Sequence, residues 1–244
     1  RFLYEAIEID PYNSGAITNS AILYEEKGNF VLAADLIVRA LELAPDKKTL
    51  HFNARNIVAN VSKQRHFDKA IKILELLIKV DGTNINNWFN LGLNYQLTKK
   101  IDEAIKCFKF VEKQNPDDEQ TLISLVKLYG EKGNFDEAIL YCEKLLDRHL
   151  STLNAICWRA QFMQAKGLGT QAIDFMKSVI SNNPKNDHLW LTLAELYSKE
   201  GDNNKAVSMI RKAGLILVQN GEENNTDKMD YLKAKLKHYQ RLAE

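Results

Sequence analysis

The residues most able to do chemistry are few and scattered. Five histidines, His51, His66, His149, His188 and His238, form no H-x-x-x-H pair and no Cys/His couple at metal-binding spacing, so no metal site is expected. Three cysteines, Cys107, Cys142 and Cys157, sit singly within helical patterns and without C-x-x-C spacing. That usage argues against a disulfide framework and fits a cytoplasmic or other reducing compartment. Acidic pairs such as Glu25–Glu26, Asp117–Asp118 and Glu222–Glu223 fall where a solvated helix face or loop accounts for them. The segment GLGTQA, residues 167–172, matches the G-x-G-x-x-A dinucleotide fingerprint, which requires a strand before it and a helix after it. A helical pattern precedes it here. The expectation is a non-enzyme without cofactor or catalytic residue.

One series of polar residues is left. Asn19, Asn56 and Asn90 recur at intervals of 37 and 34 residues. A carboxamide carries both a donor and an acceptor. A ladder of them can therefore pair with the N–H and C=O groups of an extended backbone without reading its side chains.

The interval belongs to a repeat that governs the whole chain. Ala33, Ala70, Ala104, Ala138, Ala172 and Ala206 are spaced by 37 residues once and then by 34. Nine residues ahead of them stand Tyr24, Val61, Tyr95, Tyr129, Met163 and Tyr197. Breakers close units at Pro11, Pro45, Gly82, Pro116 and Pro184, and turn residues at Gly28, Lys99, Gly133, Gly167 and Gly201 divide five of the six full units in two. Trp88, Leu91, Gly92 and Tyr95 fall at i, i+3, i+4 and i+7, which is one helix face, and HLWLTLAELYSK repeats that pattern later. Each unit is thus two antiparallel helices of about 14 residues, roughly 20 Å long. Small residues such as Gly92 and the recurring Ala let the two axes approach closely. A lone hairpin cannot bury both faces, so neighbours must stack.

The pattern W-x-x-L-G-x-x-Y, A-x-x-x-F-x-x-A and a closing P resembles the tetratricopeptide repeat over about residues 1–218. The resemblance implies an all-α fold, an α-solenoid that winds as a right-handed superhelix. It would comprise a leading half-repeat (second helix within 1–13), six full repeats over 14–220 starting near 14, 51, 85, 119, 153 and 187, and a C-terminal helix over 226–244. Repeat two departs from the pattern, with Ala54, Ile57 and Val58 in place of the Trp/Leu/Gly set and three extra residues in PDKKTL. The C-terminal segment places Met229, Leu232, Leu236, Tyr239 and Leu242 on one stripe, with Thr226 or Asp227 as its N-cap. It reads as a capping helix.

In this family the first-helix face next to the packing face lines a groove that takes a peptide or partner helix. Here that stripe is Thr18, Ile22 and Glu26, then Arg55, Ala59 and Lys63, then Phe89, Leu93 and Leu97. Ile123, Lys127 and Glu131 follow, then Cys157, Gln161 and Ala165, and finally Leu191, Glu195 and Lys199. The asparagine series continues as Ser124, Trp158 and Thr192, so Trp158 interrupts it. The ladder is similar to the one in the superhelical repeat region of O-linked N-acetylglucosamine transferase. No first helix has the Lys and Asn four apart by which some members capture chaperone tails. The expected groove comprises Asn19, Asn56, Phe89, Asn90, Leu93, Leu97, Ile123, Lys127, Trp158 and Gln161, binding a protein or peptide partner.

Composition agrees. The chain has 244 residues, 45% hydrophobic and 27% charged, with 33 Lys and Arg against 32 Asp and Glu. That balance argues against nucleic acid as a partner. No apolar run approaches the ~18 residues of a membrane span, so no membrane insertion is expected. The opening RFLYEAIEIDP reads as a helix already under way, so the chain is expected to be part of something longer. Two alternatives to the interaction module follow: a substrate-recruiting arm of a larger enzyme such as a glycosyltransferase, or a subunit that self-associates through its repeat ends or the 226–244 helix.

Overall fold

The computed structural model describes residues 9–222 and 225–244. Most of the expected leading half-repeat lies outside the described residues. Among them thirteen helices and no strand form. Six are first helices of hairpins: α1 (Ser14–Glu26), α3 (Lys48–Lys63), α5 (Ile85–Leu97), α7 (Glu119–Lys132), α9 (Thr152–Ala165) and α11 (Asp187–Lys199). Their partners are α2 (Phe30–Leu43), α4 (Phe67–Val80), α6 (Ile101–Gln114), α8 (Phe135–Asp147), α10 (Gly169–Asn182) and α12 (Asn203–Gln219). Last comes α13 (Thr226–Ala243). The chain divides into two compact units, Arg1–Leu128 and Tyr129–Glu244, the boundary falling within α7.

In both units the same local chemistry makes the hairpins. All six repeat-marking alanines are completely buried. Asparagine caps six helices: Asn13, Asn29, Asn84, Asn134, Asn186 and Asn225 each accept a backbone N–H of the first turn. The cap of α13 is therefore Asn225, not Thr226 or Asp227, because its carboxamide reaches Lys228 N at 3.3 Å. The three extra residues before repeat two lengthen a helix: α3 runs 16 residues where α1 and α5 run 13, and its added turn buries Leu50. The paired tryptophans seal the turn that precedes their own helix. Trp88 Nε1 donates to Gly82 O at 2.8 Å, and Trp190 Nε1 donates to Pro184 O at 2.9 Å.

Within the first unit, α2 packs against α1, α3 and α4, and the core runs from Ile17 and Ile37 through Ile57 and Leu74 to Leu91. Gly92 brings α5 against α6: a Cβ there would lie 3.0 Å from the wholly buried Phe108 ring. Successive first helices are joined at a fixed register. Asn60 Nδ2 of α3 donates to Glu25 Oε1 of α1 at 2.7 Å, and Ser62 Oγ of α3 donates to Asn94 Oδ1 of α5 at 2.9 Å.

The second unit keeps that register with other groups. Gln164 Nε2 of α9 donates to Leu196 O of α11 at 2.9 Å. Gly130 of α7 faces Phe162 of α9, whose ring stacks on Phe135 at a centroid distance of 6.1 Å. Counted from positions 19, 56, 90, 124, 158 and 192, every one of these contacts joins the sixth residue on to the fourth residue on in the next repeat. Beyond α12, α13 buries Leu232 and Tyr239, and Lys235 Nζ reaches Glu195 Oε1 of α11 at 3.0 Å. Leu242, expected on the buried stripe, is 52% exposed.

Hairpin turns need a left-handed residue. Gly28, Gly133, Gly167 and Gly201 supply it, and Lys99 does so at φ 62°. In repeat two, where the sequence marked no turn residue, Arg65 takes φ 66°. Replacing Arg65 with Gly is expected to stabilise the chain by up to about 1 kcal/mol, since a side chain costs roughly that in this conformation. Chemical denaturation measures it, and a loss of stability would refute the strain. Gly130→Ala runs the other way. Its Cβ would meet the Phe162 ring at 2.5 Å. A net loss of about 1–2 kcal/mol is expected from the overpacking, after the ~1 kcal/mol helical advantage of Ala. Adding Phe162→Leu to Gly130→Ala should recover part of the loss.

Candidate peptide-binding groove

In the first unit the residues expected to line a groove stand on α1, α3, α5 and the start of α7. Asn19, Asn56 and Asn90 are all exposed, and none of their carboxamides hydrogen-bonds to a described residue. The three helices that carry them are held in step by the Glu25–Asn60 and Ser62–Asn94 bonds. Asn94 also acts within its own helix, where its Nδ2 donates to Asn90 O at 2.8 Å and fixes the turn that presents Asn90. Helices packed about 8–10 Å apart place one carboxamide per roughly three residues of an extended chain at ~3.3 Å per residue.

Apolar groups lie beside the third rung. Phe89 is half-buried with its ring edge-on to Phe108 at 5.6 Å, Leu93 is half-buried and Leu97 is 59% exposed. A cavity of about 300 Å³ opens next to them, lined by Ile85, Asn86, Phe89, Val111, Asn115 and Asp118. Ile123 is half-buried and Lys127 exposed. One repeat earlier, Arg55 lines a cavity of about 430 Å³ with Lys48, His51, Asp46 and Asp81. Arg55 forms no ion pair with a described residue.

Other positions of the stripe are not available. Thr18 is buried, its Oγ1 donating to Ser14 O at 2.6 Å. Ser124, also buried, donates to Gln120 O at 2.8 Å. Trp158 and Gln161 belong to the second unit, and both are half-buried. Thr192 is buried with its Oγ1 3.0 Å from His188 O and 3.3 Å from Cys157 Sγ. Unlike the carboxamides, these hydroxyls are turned inward.

A Cys/His pair that sequence spacing did not reveal sits there too, with Cys157 Sγ 3.4 Å from His188 Nδ1. It has the wrong electrostatics for a nucleophile. Burial pushes the Cys157 thiol up, whereas a reactive cysteine needs its thiolate stabilised. Cys107 and Cys142 are pushed up to about 12, again chiefly by burial. Among the described residues no group of three His, Cys, Asp or Glu is placed to hold a metal, and no helix is long and apolar enough to cross a membrane.

Sequence profiles of the tetratricopeptide repeat match residues 16–50, 85–118, 119–148 and 164–223, together more than half of the chain. Human protein O-mannosyl-transferase TMTC3 is 26% identical over 206 residues, covering 83% of this chain and 22% of that protein. The chain spans between 12% and 26% of the length of the curated relatives it matches. Among solved structures, a tetratricopeptide repeat protein of Parabacteroides merdae is similar at a TM-score of 0.60 and 17% identity, over 93% of this chain and 98% of that one. YrrB, described as a TPR protein with an unusual peptide-binding site, is similar at a TM-score of 0.55 and 14% identity, over 80% of this chain and 99% of that one.

The buried thiols give a direct check on the packing. With their pKa values raised, all three remain protonated at about pH 8, below even the ordinary cysteine value, so a disulfide-exchange reagent is expected to leave them unmodified in the native chain. In denaturant, where a cysteine returns to about 8.5, all three should react. Rapid modification of Cys157 in the native chain would contradict its burial.

Proposed function

The chain belongs to the tetratricopeptide repeat family, and on that premise we propose that it is a non-catalytic interaction module gripping an extended segment of a protein partner with α1, α3 and α5. The observation that carries this reading is the trio Asn19, Asn56 and Asn90. Their side chains are exposed, their carboxamides make no hydrogen bond to a described residue, and they stand on helices tied in one register. Each carboxamide takes one N–H and one C=O of the bound backbone. Side-chain selection falls to the places beside them. The cavity at Arg55, where basic and acidic groups face each other, favours a polar side chain, and Phe89 with Ile85 and Val111 favours an apolar anchor about three residues on. Exposed apolar area at Leu97 and Leu93 supports an anchor of modest size, contributing about 1.5–3 kcal/mol if fully buried. A peptide-binding site is also what YrrB is described as having.

A second reading is favoured by the match to human protein O-mannosyl-transferase TMTC3, of which this chain covers 22%. In it the same groove recruits substrate for a transferase carried elsewhere in a longer polypeptide. The complete reading frame decides between the two.

The groove itself is tested with peptides selected from a random displayed library against the native chain. Asn56→Ala with Asn90→Ala removes two rungs. At about 0.5–1.5 kcal/mol per hydrogen bond, the selected peptides are expected to bind about tenfold or more weakly. The thermal midpoint should stay within about 2 °C, since surface substitutions of this kind cost little. Unchanged binding, or a collapse of the midpoint, would assign the asparagines to the scaffold instead.

A further inference from the structure

The last two helices carry a charge pattern that the groove on α1, α3 and α5 does not use. Helices α12 and α13 hold eight Lys and Arg against two Asp and no Glu, in a chain whose formal net charge is only +1. Five of those eight cations are engaged. Lys205 pairs with Asp202 at 2.6 Å, Lys228 with Glu222 at 2.9 Å, Lys233 with Asp230 at 3.2 Å and Lys235 with Glu195 at 3.0 Å. Lys212 lies over the Trp190 ring at 4.5 Å. The three that remain, Arg211, Lys237 and Arg241, form no ion pair with any described residue, and all three line one groove of about 660 Å³ between α12 and α13. Asn204 and Gln240 add amides to its wall, and Glu244 is its only acidic lining residue among those described.

An unoccupied groove between two helices would be solvated at no cost by one stray lysine. Three like charges converging on it repel one another, and the acids that neutralise the neighbouring cations are absent here. We propose that this groove is a second docking site, for an acidic segment of a protein partner. The three cations are exposed along a groove between two helices whose walls also carry the Asn204 and Gln240 amides, a surface that suits the carboxylates and backbone of an extended acidic chain. The α12 ridge continues past Arg211 to Leu215 and Val218, which are 64% and 49% exposed and fall at i+4 and i+7 from it. At 1.5 Å per residue Val218 is about 10 Å beyond Arg211. An extended occupant reaches it in about three residues, so the segment that fits is a run of Asp or Glu followed closely by an aliphatic side chain.

The test uses the 244-residue chain and a fluorescent peptide of sequence Glu-Glu-Asp-Glu-Gly-Leu-Val, with a Lys-for-acid version as control. Saturable binding of the acidic peptide is expected at low salt, weakening as salt screens exposed charges, with no binding of the control. Arg211→Glu with Arg241→Glu should lower affinity at least about tenfold while leaving the thermal midpoint in place, because both residues are exposed. Leu215→Ala should weaken binding without altering its salt dependence. Asn56→Ala with Asn90→Ala should leave it unchanged, which separates this site from the groove on α1, α3 and α5. Absence of saturable binding, or indifference to the charge reversals, overturns the proposal. So does tighter binding to anionic vesicles or to RNA through the same residues. A mass that doubles with concentration in light scattering, and returns to one chain in the charge-reversed variant, would identify the occupant as a second copy instead.

Discussion

The face that carries the three carboxamides depends on the register between successive first helices. One contact sets it, from a residue late in one first helix to a residue two positions earlier in the next. Its chemistry changes freely. It is an amide to a carboxylate at Asn60 and Glu25, a hydroxyl to an amide at Ser62 and Asn94, a bare glycine under a phenyl ring at Gly130 and Phe162, and an amide to a backbone carbonyl at Gln164 and Leu196. What does not change is the offset. A slip by one residue would rotate each exposed stripe by about 100° of helix, scattering the three carboxamides over different faces. The surface that could bind is thus fixed from behind, by groups that never meet a ligand.

Asparagine shows how position decides the use of one side chain. At N-caps it satisfies first-turn N–H groups, as at Asn13 or Asn186. Inside a helix and buried, Asn94 bridges two helices and holds the Asn90 carbonyl. Inside a helix and exposed, Asn19, Asn56 and Asn90 do neither, although asparagine is a poorer helix former than Ala by about 0.5 kcal/mol. Three such residues at one position of successive hairpins are a cost that the scaffold does not explain. Two of the next three hairpins illustrate the alternative, since Ser124 and Thr192 fold their hydroxyls back onto a carbonyl of their own helix and offer a partner nothing.

The repeat was legible because packing at i, i+3 and i+4 demands small and large residues at fixed spacing, and the spacing survives even where the Trp/Leu/Gly set gives way to Ala54, Ile57 and Val58 in repeat two. The hairpins, their small-residue contacts and the position of the asparagines all follow from that. Features set by the backbone were not legible. Nothing about Arg65 announces a left-handed turn, and three cap-competent residues in a row at 225–227 leave the choice to local geometry. Exposure along the groove stripe was hidden for a related reason. Periodicity groups Thr18 and Cys157 with Phe89, but the first two are buried, and Cys157 meets His188 and Thr192 of the next first helix. The Cys157–His188 and Ser62–Asn94 contacts join residues about one repeat apart, and no local pattern encodes them.

Net charge misled in the same way. A total of +1 suggests an electrostatically neutral surface, yet it averages two final helices rich in Lys and Arg with repeats that compensate for them. Within α12 and α13 the local pairings, not the total, decide what is left over. Satisfied cations such as Lys235 stabilise the packing of α13 on α11, and unsatisfied ones such as Arg211 create a field. A helix face turned to solvent must be polar, but polarity alone would be met by paired charges or by neutral amides. Leaving three cations unpaired in one concavity keeps the face soluble and also makes it selective, since a like-charged or purely apolar partner gains nothing there. Solubility and recognition are then served by the same side chains, with the absent acids as the distinguishing feature.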